Sequence, residues 1–167
     1  METTVKTLAA DSAMSAERAL NAAIVNADIT RGFEEYLTLV DQYYAEDVEV
    51  STDVSPDPLV GKHRLKSLLL GFLVPLHMMA EMGGLWVSIH EASIPGDSLD
   101  EQHSEWRLEL IGVTGGRLTE AWCVRRRWKQ SRVVAEYHYA HRQHGEALSF
   151  DDLRIAVPRD PDTVKPS

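Results

Sequence analysis

The chain has 167 residues, 44% of them apolar, which suits one domain with a real core. A formal charge of −9 argues against a general nucleic-acid or anionic-membrane surface, and no apolar run approaches the ~18 residues of a membrane span. The single cysteine, Cys123, excludes an internal disulfide, and the N-terminus lacks the basic start and apolar core of a signal peptide, so the expected location is the cytoplasm.

Residues 1–10 read as a flexible leader. From Asp11 or Ser12 the pattern turns helical, with Ala19, Leu20, Ala23, Ile24 and Ala27 at helical spacing. Asp28 to Arg31 breaks it. A second helix carries Phe33, Tyr36, Leu37, Val40, Tyr43 and Tyr44 on its buried side. No Lys or Arg lies between Arg31 and Lys62, but eight carboxylates do, which reads as solvated surface. Val48 to Thr52 alternates as a short strand. Ser55-Pro56-Asp57-Pro58 reads as a loop, because two prolines remove donors. A long, deeply apolar helix runs from Lys62 to about Met82, with a kink at Pro75 or a division into two helices there. Gly83-Gly84 ends it, and Leu85 to Ile94 alternates as a strand. Pro95-Gly96-Asp97 turns the chain.

Three segments rich in Val, Leu, Trp and Tyr then follow between Glu105 and His141, which signals three consecutive antiparallel strands. A three-residue loop at Gly115 to Arg117 sets Glu109 opposite Cys123. A two-residue loop at Gln130-Ser131 sets Cys123 opposite His138 and Arg125 opposite Glu136. Alternation then sorts Arg107, Glu109, Cys123, Arg125, Glu136 and His138 onto one face. Leu108, Leu110, Trp122, Val124, Tyr137 and Tyr139 fall on the other. Either the polar face meets water, or it lines a pocket while a second subunit covers the apolar face. The basic run Arg125-Arg126-Arg127-Trp128-Lys129 splits between the two faces and is not one patch. A polar tail, 146–167, closes the chain. Helices early and antiparallel strands late indicate an α+β fold, with N-terminal helices packed on a strongly curved, mainly antiparallel sheet over residues 11–145.

The element order, the turn Ala45-Glu46-Asp47-Val48-Glu49-Val50 and Gly61 at the head of the long helix resemble the nuclear-transport-factor-2-like (NTF2-like) superfamily. That superfamily is an α+β cone. It includes the SnoaL-like polyketide cyclases, ketosteroid isomerases, scytalone dehydratase and limonene epoxide hydrolases. The resemblance covers about residues 15–145 and implies a small apolar ligand inside the cone, a homodimer through the sheet, and no cofactor. Matched to the epoxide hydrolases, the Asp-Arg-Asp set falls on Glu109, Arg107 and His138, with only the Arg unchanged. The water-holding Tyr and Asn fall on Val50 and Thr52. Matched to the ketosteroid isomerases, the general base falls near Thr52 or Asp53 and the oxyanion acid near Cys123.

The candidate catalytic residues are therefore Arg107, Glu109 and His138. Arg107 would hold Glu109 ionised, and His138 would give or take a proton. The alternative is a cross-strand ion-pair network on a wet face. Met78, Met79, Met82 and Trp86 would form an adaptable wall for an apolar ligand, or plain core. Tyr43 and Tyr44 are core anchors, one of whose hydroxyls would reach the pocket. Thr52, Cys123 and Arg125 complete the ligand-facing set. No HExxH pattern occurs and no metal site is expected. Two functions remain open: a SnoaL-like enzyme acting on a polyketide-, terpenoid- or steroid-like molecule by cofactor-free acid–base chemistry, and a non-catalytic binding or dimerisation module of the same fold.

Overall fold

The computed structural model describes residues 2–94, 98 and 100–145, with backbone alone for 2–11, 56 and 82. The tail 146–167 and the Pro95-Gly96-Asp97 turn lie outside the described residues. The elements are α1 (Glu2–Asn26), a 3-10 turn (Ile29–Arg31), α2 (Glu34–Tyr43), β1 (Tyr44–Thr52), β2 (Ser55–Val60), α3 (Lys62–Gly83), β3 (Trp86–Ile94), β4 (Glu101–Ile111), β5 (Arg117–Lys129) and β6 (Arg132–Gly145). This is the expected α+β order with one strand added.

Three expectations change at the level of elements. The first helix starts earlier than expected: residues 2–10 hold no Gly or Pro, and α1 already runs from Glu2. Ser55 to Pro58 is not a loop but the start of β2, which among the described residues is an edge strand paired only with β1. Ser55 donates to Thr52 Oγ1 and Gly61 to the Val48 carbonyl, so the odd N–H groups face β1. Pro56 and Pro58 sit at the even positions that face away, where a missing donor breaks no ladder bond. Finally, α3 is not divided at Pro75 but runs through it as one helix, so of the two readings of that proline only the division is overturned. The helix stops where Gly84 enters the left-handed region (φ 69°), a conformation that glycine adopts without steric cost, and Gly84 and Leu85 N–H close on the Met79 carbonyl.

The six strands form one sheet in the order β2-β1-β6-β5-β4-β3, with β1 parallel to β6 and every other pair antiparallel. In the first hairpin residues 112–116 form the connection, so Glu109 faces Thr119 rather than Cys123. The shift is an even number of residues, so each side chain keeps its expected face. The second hairpin turns through Gln130-Ser131 as expected, both at positive φ (50° and 58°). Beyond it the register breaks. Trp128 pairs with Val133, but Arg127 pairs with Ala135, so Val134 is the extra residue of a β-bulge. From there to Tyr139, β6 shows the opposite face to the one that strict alternation assigns. Glu136 now pairs with Arg126 and His138 with Val124.

The helices cover the inner face of the sheet. One core cluster joins Leu20, Val40, Val48, Val50, Leu65, Trp128 and Val133. A second joins Ile29, Leu73, Leu76, Ala80 and Leu85. Leu20 on α1 has no exposed surface and belongs to the first. Leu20→Ala is expected to cost about 2–5 kcal/mol, read from urea unfolding at neutral pH.

Candidate active site

Between the two core clusters lies a cavity of about 410 Å³, in the size range of small-molecule sites. Leu20, Ile24 and Val25 of α1 form one wall, and Leu69, Phe72, Leu73 and Leu76 of α3 another. Trp106, Leu108, Trp122 and Val124 form the floor from the sheet. Phe72 and Trp86 line it while remaining 54% and 52% exposed, which marks the mouth. A wider groove of about 750 Å³ is lined by Asp47, Glu49, Asp100, Arg127 and Lys129. Its mixed charges and lack of a His or Cys make the apolar cavity the better candidate.

One part of the cavity wall is polar, where Arg126, Glu136, His138 and Tyr44 meet. Arg126 Nε donates to Glu136 Oε2 at 2.6 Å, and the Tyr44 hydroxyl donates to the same oxygen at 2.6 Å. Glu136 Oε1 lies 2.6 Å from His138 Nε2. Behind this group, Arg126 Nη1 donates to Glu17 Oε1 (2.9 Å) and Asn21 Oδ1 (2.7 Å) of α1, and Trp128 Nε1 donates to Glu17 Oε2 (2.8 Å). The guanidinium also stacks over the Trp106 ring at 5.8 Å. Among the described residues no buried side-chain nitrogen or oxygen is left without a partner.

The electrostatics follow from this wiring. Burial pushes the Glu136 carboxyl up, but Arg126, His138 and the Tyr44 hydroxyl outweigh it and hold the group well below the usual carboxylate range. Burial raises the Tyr44 phenol well above its ordinary value, so it stays a neutral donor. Burial works against the Arg126 charge, yet Tyr44, Glu136 and Glu17 hold it in place. The Arg126 and Glu136 side chains are 4% and 6% exposed, whereas His138 is 34% exposed. The histidine is thus the member of the group that a ligand can reach. Farther along the wall, burial, then Glu35 and Asp28, push the Tyr36 phenol up to about 12.

The candidate residues separate. Tyr44, Trp86 and His138 come together at the cavity. Arg107 and Glu109 do not join them. They lie on the outer face of the sheet, 3.5 Å apart, beside His90 and Ser88. The expected Arg107–Glu109–His138 face is therefore not formed, because the bulge at Val134 turns His138 inward while β4 keeps its parity. Cys123 and Arg125 share the outer face, the latter stacked on Tyr137 at 5.2 Å. Tyr137 and Tyr139 stack there too, having exchanged faces with Glu136 and His138. Tyr43 packs edge-on against Trp128 in the core. Thr52 accepts from Ser55 N–H in a turn, Asp53 accepts from Ala140 N–H, and Val50 is core. Met79 packs against the second core cluster, and Met78 is 41% exposed. The Met82 side chain lies outside the described residues.

No protein-family model matches the sequence, and no curated protein matches it significantly. Solved structures do. An NTF2-like protein of unknown function from Burkholderia pseudomallei is 14% identical, covers 81% of this chain and 91% of its own, and superposes at a TM-score of 0.51. A protein assigned as a candidate polyketide cyclase from Xanthomonas campestris is 13% identical over 78% of this chain and 91% of its own, also at 0.51. An NTF2-like protein of unknown function from Cytophaga hutchinsonii is 10% identical over 75% and 96%, at 0.50.

The chain has the NTF2-like fold.

Within that fold, the polar group was partly missed at the sequence level, and two signals pointed to it. Arg126 shares the parity of Trp122, Val124 and Trp128, so it is an arginine on the apolar side of β5. Glu17 and Asn21 fall on the buried stripe of α1 with Ala13, Leu20 and Ile24. Among the described residues no group of three or more His, Cys, Asp or Glu has the arrangement to hold a metal ion. No helix among them is long and apolar enough to cross a membrane.

Replacing Arg126 by Met leaves two buried carboxylates without their cation, and is expected to destabilise the fold by about 3–5 kcal/mol in neutral urea unfolding. The acid limb carries a second test. The folded-state pKa of Glu136 lies below its ordinary value of 4.5, so its contribution is present above pH 4.5 and is lost as pH falls from there through the folded value. Glu136→Gln is expected to flatten the decline of the urea midpoint below that pH.

Proposed function

We propose that this protein binds a small apolar molecule in the cavity and moves a proton on it without a cofactor, with His138 as the proton-transfer group. The observation that carries this reading is the 2.6 Å contact of His138 Nε2 with Glu136 Oε1 on the wall of an otherwise apolar cavity. A buried anion orients the ring and stabilises the imidazolium that forms when the ring takes a proton. Arg126 and Tyr44 keep Glu136 anionic while holding it in place, so the carboxylate supports the ring and does not compete with it for the proton. The ring nitrogen away from Glu136, Nδ1, is the one for the substrate. Apolar walls exclude water and suit a polyketide-, terpenoid- or steroid-like skeleton. Isomerisation, ring closure, dehydration and hydrolysis all need this one step, and the assignment of the Xanthomonas neighbour makes ring closure of a polyketide a reaction to try. Arg107 and Glu109 have no part in this reading.

One observation favours a binding module instead: the polar group is closed on itself, with every buried polar atom among the described residues already partnered. In either case we place a homodimer contact on the outer face of the sheet, where Tyr137, Tyr139 and Arg125 form a stacked, partly buried surface. Elimination of 5-nitrobenzisoxazole separates the two readings, since a base in an apolar pocket takes its C–H proton and releases a coloured phenolate. The enzyme reading expects saturable turnover above that of free imidazole, falling ~10²–10⁴-fold in His138→Gln. A wild-type protein no faster than imidazole, or a variant as fast as wild type, would leave only the binding module.

A further inference from the structure

A hydrogen-bonded line runs from helix α1 to the proton-transfer group. Glu17 and Asn21 take Arg126 Nη1 at 2.9 and 2.7 Å, Arg126 Nε holds Glu136 Oε2 at 2.6 Å, and Glu136 Oε1 meets His138 Nε2 at 2.6 Å. Each member behind His138 is buried: Glu17 is 4% exposed, Asn21 1%, Arg126 3% and Glu136 6%. Apolar packing does not require this arrangement. The buried stripe of α1 carries Leu20 and Ala13, and an apolar residue at position 17 would extend it. Instead the helix places a carboxylate and an amide there, both aimed at one guanidinium.

We infer that Glu17 is a positioning residue: through Arg126 it fixes the rotamer of Glu136 and so the orientation and tautomer of His138. The inference rests on the proposed role of His138 but has its own observable. Arg126 is a planar fork, and its two engaged nitrogens point in fixed directions. With Nη1 anchored to α1, Nε is delivered to Glu136 Oε2, which leaves Oε1 for the imidazole. Without that anchor the guanidinium is free to meet Glu136 through both of its oxygens, a favoured geometry for an arginine–carboxylate pair. That arrangement would draw Oε1 away from His138. The docking of α1 therefore does two things at once. It supplies a wall of the cavity through Leu20, Ile24 and Val25, and it prepares the base.

The test is Glu17→Gln in the whole chain, with Leu65→Ala as a variant that loosens the core from α3, touching neither the polar line nor the cavity lining. Nitrogen-15 spectra of the imidazole report the tautomer whether or not turnover is detected. Wild type is expected to hold one form of neutral His138, with the proton on Nε2 facing Glu136. Glu17→Gln is expected to give a mixture of tautomers, and Leu65→Ala to keep the wild-type form despite a lower Tm. With 5-nitrobenzisoxazole, Glu17→Gln should lower kcat tenfold or more and change KM less than twofold. Should Glu17→Gln not fold, Asn21→Ala removes the other acceptor of the same nitrogen and must shift the tautomer signal in the same direction. An unchanged tautomer in the folded variant, or the same mixture in Leu65→Ala, overturns the inference. A tautomer change in a protein with no turnover retains the positioning role and removes the catalytic reading alone.

Discussion

A guanidinium with two carboxylates, all three almost fully buried, is the constraint around which this protein is arranged. Arg126 sits between Glu17 of the first helix and Glu136 of the last strand, the three being 4% exposed or little more. Removing a charge from water costs several kcal/mol per ion, and only close, fully bonded partners recover it. The position of α1, the register of β6 and the packing of Trp106 and Trp128 all have to agree for those partners to be present. The pair is thus less a source of stability than a selector: alternative packings of the helix, or of the strand, would strand a charge.

The same constraint explains why one imidazole stands out among seven histidines. His63, His90, His141 and His144 are exposed, and His77 and His103 have partners away from the polar wall. His138 alone touches both the buried anion and the cavity. Its neighbours on β6 are tied in turn, since its carbonyl accepts from Asp53 N–H and the next turn of chain is braced by the Asp53 carboxylate on Ala140 N–H. A reactive group is best held by rigid elements, and here two strands and their connecting turn hold it.

Much of this was legible in the chain. Helical spacing located all three helices, the alternation of Leu85 to Ile94 gave β3 with its inner face, and both hairpins were found, the second with its turn and the first with a shorter loop than the one that forms. The face of the last strand was not. Arg132-Val-Val-Ala-Glu breaks strict alternation with three apolar residues in a row, and that interruption was the only local sign of a bulge. Pairing Arg126 with Glu136 is a long-range matter of charge that no window on β6 contains. Edge position misled in the same way: the two prolines at positions 56 and 58 argue for a loop unless one knows that β2 lies at the edge of the sheet among the described residues. The polar residues on α1 lie on its buried stripe, but no local window shows what they bond, because their partner lies more than a hundred residues away. Local pattern decides what an element is, whereas burial of a charge decides which way it faces.

The prolines of β2 also bear on how copies of this molecule meet. A sheet normally ends in a row of open donors onto which another sheet can zip, and that is a route to uncontrolled polymers. Here the outward rungs at positions 56 and 58 carry no hydrogen to offer, so a foreign strand laid along this rim finds acceptors but too few donors. Growth of the sheet past β2 is closed off. The opposite rim, β3, holds no proline and keeps its full row of donors.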